Sequence, residues 1–189
     1  MNETGLVQIY CGDGKGKTTA AIGAAVRAAG RGYRVLVARL LKTDDSGEVK
    51  GLVHIPGITV LPCDRNFGFS WNMTQSQRKA AALYYEHCFL TTWNMALGAG
   101  GEEPYDMLVL DEAIGACNLG FVDEAGLIKA LKEKPASLEV ILTGRSPSEA
   151  LQDQADYITE MIMRRHPMRE ESEQGKESNI REYVLAFSG

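Results

Sequence analysis

One stretch constrains this chain more than any other: IYCGDGKGKTTAAIGAA, from Ile9 to Ala25. An apolar run, LVQIYC (6–11), leads into it as a predicted strand, and an alanine-rich helix predicted over 17–29 leads out and stops at Gly30. Between the two lie Gly12, Gly14 and Gly16, interleaved with Asp13, Lys15 and Lys17. Glycines let successive backbone N–H groups turn toward one centre, the helix start adds partial positive charge, and Lys17 adds a full one. That combination cradles phosphate oxygens. The familiar spacing is G-x-x-x-x-G-K-[ST]. Gly16-Lys17-Thr18 matches its end, but the first glycine position falls on Cys11, and Gly12 comes one residue late. Either Cys11 stands in a glycine's place, or the loop is one residue shorter. Both keep the physics, and the candidate phosphate-binding residues are Gly12, Asp13, Gly14, Lys15, Gly16, Lys17, Thr18 and Thr19.

Further strands are expected at 33–41, 58–62, 107–111, 138–144, 155–159 and 182–187, with helices over 75–97 and 123–134. MLVLD (107–111) and LEVILTG (138–144) are continuous apolar runs, the pattern of strands buried on both faces. Strand–helix alternation of this kind predicts an α/β fold, a mostly parallel sheet with helices on both faces. The 189 residues suit one domain spanning 1–189. A net charge of −5 gives no bulk attraction for nucleic acid or an anionic membrane, and no apolar stretch approaches the roughly 20 residues of a membrane span. The start, MNETGLVQIY, lacks the basic-then-apolar layout of a secretory signal, and the four cysteines form no CxxC pair. Reduced thiols in the cytoplasm are the expectation. Residues 163–182 are half charged, which fits either a solvated loop or a mobile segment that orders over bound substrate.

MLVLDE supplies a second half to the loop. It places Asp111 and Glu112 at the carboxyl end of a buried strand, beside the loop in such a sheet. A hard cation bridging phosphates takes oxygen ligands, so Thr18, Asp111 and Glu112 are the candidate Mg²⁺ residues.

Taken together, several stretches resemble one family, the P-loop ATP:corrinoid adenosyltransferases. They are GDGKGKTTAA (12–21), LLK with GE shortly after (Lys42, Gly47, Glu48), FGFSW (67–71), VLDE (109–112), ILTGR (141–145), ADYITEM (155–161) and RRHP (164–167). The resemblance implies a RecA-like P-loop fold. It also implies transfer of the 5′-deoxyadenosyl group of ATP to the Co(I) of a reduced corrinoid, with release of triphosphate, in adenosylcobalamin biosynthesis or salvage. Lys17, Thr18 and Glu112 would be the catalytic residues and Mg²⁺ the cofactor. Phe69 and Trp71 would form an apolar wall against the corrin that helps exclude the lower axial ligand, easing reduction of cobalt. A flavoprotein-like reductase and a second copy of the chain are the implied partners. The residues alone leave open a small-molecule kinase on the same scaffold and a nucleotide-dependent switch ATPase. His54, in LVHIPG, lacks the D-x-H-x-x-G setting of cobalt-ligating histidines.

Overall fold

Six strands build one sheet in the computed structural model, which describes residues 4–42, 47–62, 65, 67 and 72–165. They are β1 (Val7–Cys11), β2 (Val35–Arg39), β3 (Ile58–Val60), β4 (Met107–Asp111), β5 (Glu139–Thr143) and β6 (Tyr157–Glu160). The order is β3-β2-β4-β5-β1-β6 and every pairing is parallel. Parallel neighbours need crossovers, and helices supply them: α1 (Lys17–Ala29), α2 (Gly47–Leu52), α3 (Gln75–Ala96), α4 (Ala113–Asn118), α5 (Glu124–Glu133) and α6 (Glu149–Gln152). The α/β expectation is met. β5 lies between β1, which carries the glycine loop, and β4, which carries the acids, as in the RecA-like P-loop arrangement. The site must therefore be assembled across an intervening strand.

The two faces of the sheet are covered differently. On one, Ala21, Ala25 and Ala28 of α1 meet Val35, Val37, Val109 and Ile141, with Leu52 of α2 alongside. On the other, Tyr85, Phe89 and Trp93 of α3 join Ile114, Phe121, Leu127 and Leu131 over Ile9, Leu36, Leu108 and Leu142. The tyrosine, phenylalanine and tryptophan recur at four-residue intervals, so they share one helix face. Thr74 caps α3 by accepting from the Gln77 amide, and the Gln77 side chain returns a bond to the Thr74 amide.

The predicted strands and long helices are present, with ends shifted by as much as two residues. Three short helices, α2, α4 and α6, were not predicted. At four to six residues each, they are too brief to show a helical period. The expected strand at 182–187 lies outside the described residues.

Candidate functional site

The glycine loop resolves its own irregularity. Cys11 ends β1 as an ordinary strand residue, with its side chain buried in the aromatic-rich core and its carbonyl accepting from the Met161 amide at 2.9 Å. The demand for glycine begins one residue later. Gly12 has φ 96°, and a Cβ there would lie 2.4 Å from the Met161 carbonyl oxygen. The loop is thus the shorter one, and Cys11 fills no glycine's place. Gly14 donates its amide to Met161 at 2.7 Å, and the exposed Asp13 accepts from the Met163 amide at 3.2 Å. Chain following β6 therefore braces the outer side of the loop.

At the far end of the loop Gly16 takes a left-handed conformation and begins α1 with no side-chain cap. The first-turn amides of a helix lack intrahelical partners, so this end is open to an anion. Lys17 is buried, and its Nζ donates to the carbonyls of Gly12 and Gly14, both at 2.8 Å. The ammonium lies inside the loop.

Thr18 and the acids meet across β5. Asp111 is fully buried; its Oδ1 accepts from the Thr143 hydroxyl at 2.6 Å and the Thr18 hydroxyl at 2.9 Å. Its Oδ2 accepts from Lys42 Nζ at 2.7 Å, and the same ammonium donates to Thr18 Oγ1 at 2.6 Å. Glu112 holds a carboxylate oxygen 3.9 Å from Lys42 Nζ, while its amide donates to the Thr143 hydroxyl at 2.9 Å. Leu41 and Glu112 each sit at φ 60°, which costs an L-residue about 1–2 kcal/mol. One precedes Lys42 and the other follows Asp111, so backbone strain is concentrated where the two strands deliver their charged side chains.

Of the residues picked out in the sequence, Lys17, Thr18, Asp111 and Glu112 come together, with Gly12 to Gly16 around them. Thr19 is exposed on α1. Phe69 and Trp71 lie outside the described residues. Phe67, at the start of the same aromatic stretch, packs its ring 5.6 Å from Tyr84 and 5.8 Å from Tyr85. Next to these rings a cavity of about 260 Å³ opens at the ends of β2 and β3, lined by Leu40, Leu61, Tyr84, His87 and Cys88 among others. A larger cavity, about 990 Å³, lies at the opposite, amino end of the strands by Gln8, Arg27, Tyr33 and Glu139. It has no part in the phosphate cradle.

Thr143 was missed from sequence, although it ends the apolar run of β5; the register of β5 against β4, with Leu142 beside Leu110, is what aims it at Asp111. Arg39 was missed too. It is a buried charge at the end of β2, paired at 3.2 Å with Glu48 of α2. A charged residue closing an otherwise apolar strand was the available signal.

A family model for ATP:corrinoid adenosyltransferase BtuR/CobO/CobP matches residues 3–178. The chain is 31% identical to the corrinoid adenosyltransferase of Escherichia coli K12 over 167 residues, which is 88% of this chain and 81% of that one. It is 32% identical over 170 residues to a corrinoid adenosyltransferase of Sinorhizobium, covering 89% of this chain and 77% of that one. With the corrinoid adenosyltransferase of Pseudomonas aeruginosa it shares 27% over 169 residues, 89% and 80% of the two chains.

Proposed function

Because this chain belongs to the ATP:corrinoid adenosyltransferase family, we propose that it transfers the 5′-deoxyadenosyl group of ATP to the Co(I) centre of a reduced corrinoid, in adenosylcobalamin biosynthesis or salvage. The observation that carries the reading is one cluster. It joins an uncapped helix start, a lysine held inside the loop, and a threonine and carboxylate in direct contact.

In the reaction the Co(I) electron pair forms the Co–C bond at C5′. The C5′–O bond breaks, and its pair leaves with triphosphate. No proton changes hands, so no side chain need act as a base. The chain's work is to position C5′ and to stabilise the leaving group. Amides within residues 12–19 take phosphate oxygens, apart from that of Gly14, which already donates to Met161, and Lys17 neutralises the charge that grows on them. The oxygen donors Thr18, Asp111 and Glu112 fit Mg²⁺, and an ammonium already contacts two of them. Among the described residues no three His, Cys, Asp or Glu side chains form a cage, which suits a cation that relies on phosphates and water for its other ligands. When bound, Mg²⁺ would supply positive charge to the departing triphosphate.

Phe69 and Trp71 belong to the proposal as the wall against the corrin. So do a flavoprotein-like reductase that delivers the electron, a homodimer, and a cytoplasmic setting. No described helix is long and apolar enough to cross a membrane.

The test is direct. Protein, Mg-ATP and chemically reduced corrinoid should yield a light-sensitive Co–C product and one triphosphate per turnover. Release of ADP without that product would replace the reading with a kinase or a switch ATPase.

A further inference from the structure

Lys42 belongs to neither the glycine loop nor the acidic strand end, yet it holds the contact between them. Its Nζ lies 2.6 Å from Thr18 Oγ1 and 2.7 Å from Asp111 Oδ2, with the nearer Glu112 oxygen at 3.9 Å. These oxygens are the ones assigned above to the cation. Mg²⁺ binds oxygen at about 2.0–2.1 Å, so a metal ion bound to both oxygens from the side that Lys42 occupies would lie well inside contact distance of the ammonium nitrogen. Both cannot occupy that notch.

We propose that Lys42 is a resident counter-ion: it occupies the cation position in the empty enzyme, excludes a bare divalent ion, and yields when cation and polyphosphate arrive together. This rests on the function proposed above.

Electrostatics gives the reason. Asp111 is fully buried, and a buried carboxylate without a positive partner is costly. Two hydroxyls satisfy Oδ1, while Lys42 supplies the positive charge and the bond to Oδ2. A cation entering alone must displace that ammonium and leave it near Glu112 with no second anion. Entering with triphosphate, it brings the anion that the displaced lysine needs. Metal and phosphates should therefore bind cooperatively, with Lys42 as the source of the coupling. The lysine side chain is 27% exposed while Asp111 is closed off, so the lysine is the member with room to move. Its backbone adds a constraint, since Leu41 is held at φ 60° immediately before it.

The experiment uses Mn²⁺ as the probe, with free ion counted by its paramagnetic resonance signal, on the whole chain without nucleotide. Lys42→Gln removes the charge but keeps a donor near Asp111, and should bind Mn²⁺ at least tenfold more tightly than the wild type. Lys42→Arg keeps the charge and should stay as weak as the wild type. With the Mn²⁺ that triphosphate holds in protein-free buffer measured and subtracted, adding inorganic triphosphate should tighten Mn²⁺ binding to the protein strongly in the wild type and much less in Lys42→Gln. Unchanged or weaker Mn²⁺ binding in Lys42→Gln would overturn the proposal, as would a gain in Lys42→Arg. Should Lys42→Gln unfold in metal-free buffer, recovery of its melting transition on adding Mg²⁺ supports the idea, and a melt indifferent to Mg²⁺ refutes it. Calorimetry of triphosphate with the wild type keeps the two levels apart. Binding there with no Lys42 effect removes only the counter-ion, whereas no binding at all removes the phosphate cradle and this inference with it.

Discussion

The two faces of the sheet divide the labour of the molecule. On the α1 face the contacts are alanine against valine and isoleucine. Small side chains let a helix lie close to the strands, so the start of α1 is delivered to the end of β1 where the loop turns. On the α3 face the contacts are rings and leucines, with Phe89, Trp93, Tyr85 and Phe121 among them. More and larger apolar side chains are buried there, so that face carries the larger share of folding stability. The thin face sets where a phosphate goes, and the thick face holds the sheet that makes this possible. Cys11 marks the seam, because its side chain enters the thick core while the next residue opens the loop.

The largest expected effect should fall on the thick face and leave the site's chemistry alone. Phe89 is 2% exposed, with its ring 6.1 Å from that of Trp93. Phe89→Ala should cost about 3–5 kcal/mol of stability in denaturant titrations, with triphosphate affinity of the folded fraction close to the wild type. A matching loss of affinity would break the division between the faces. Lys17→Ala should do the reverse. Among the described residues its Nζ bonds only loop carbonyls, so the melting temperature should hardly move. Turnover should fall about 10²–10³-fold, or about 2.7–4 kcal/mol, the usual cost of losing one preorganised electrostatic group. Near-normal turnover in that variant would take the cradle out of the mechanism.

This division also explains what the sequence made legible. Patterns confined to one element were readable: the buried strands from their apolar runs, α1 from its alanines, Asp111 and Glu112 from their place at a strand end. Contacts made between elements were not. Thr143 looks like any residue closing an apolar strand until β5 is set between β1 and β4. Lys42 was visible only as part of a resemblance, and its bonds to Thr18 and Asp111 span 24 and 69 residues of chain. The glycine-loop ambiguity had the same source. Sequence could not say whether Cys11 or Gly12 turns the chain, because the deciding neighbour is Met161, on the stretch after β6.

The smallest expected effect concerns a thiol on the thick face. Cys117, in α4, packs against the aromatic-rich core. Burial foremost, then the carboxylates of Glu124, Glu86 and Asp123, push its thiol up to about 12 from an ordinary 9.0. The thiolate is the reactive form. At pH 9 an ordinary thiol is half ionised, and one near 12 is ionised to about one part in a thousand, so folded Cys117 should alkylate several hundred times more slowly than in the unfolded chain. The sign for stability follows from the same shift. Between about pH 9 and 12 the folded chain keeps a proton that the unfolded chain has lost, so this thiol lowers stability as pH rises through that window. Cys117→Ala should therefore lose less stability than the wild type between pH 8 and pH 10. Burial similarly raises the Cys11 thiol, and Tyr10 is raised too, so the wild-type slope alone would not isolate Cys117, whereas the difference between the two proteins does. Fast labelling of Cys117 in the folded chain at pH 9 would show that the thick face opens near α4 without global unfolding, and the contrast between a rigid face and a working one would have to be redrawn there.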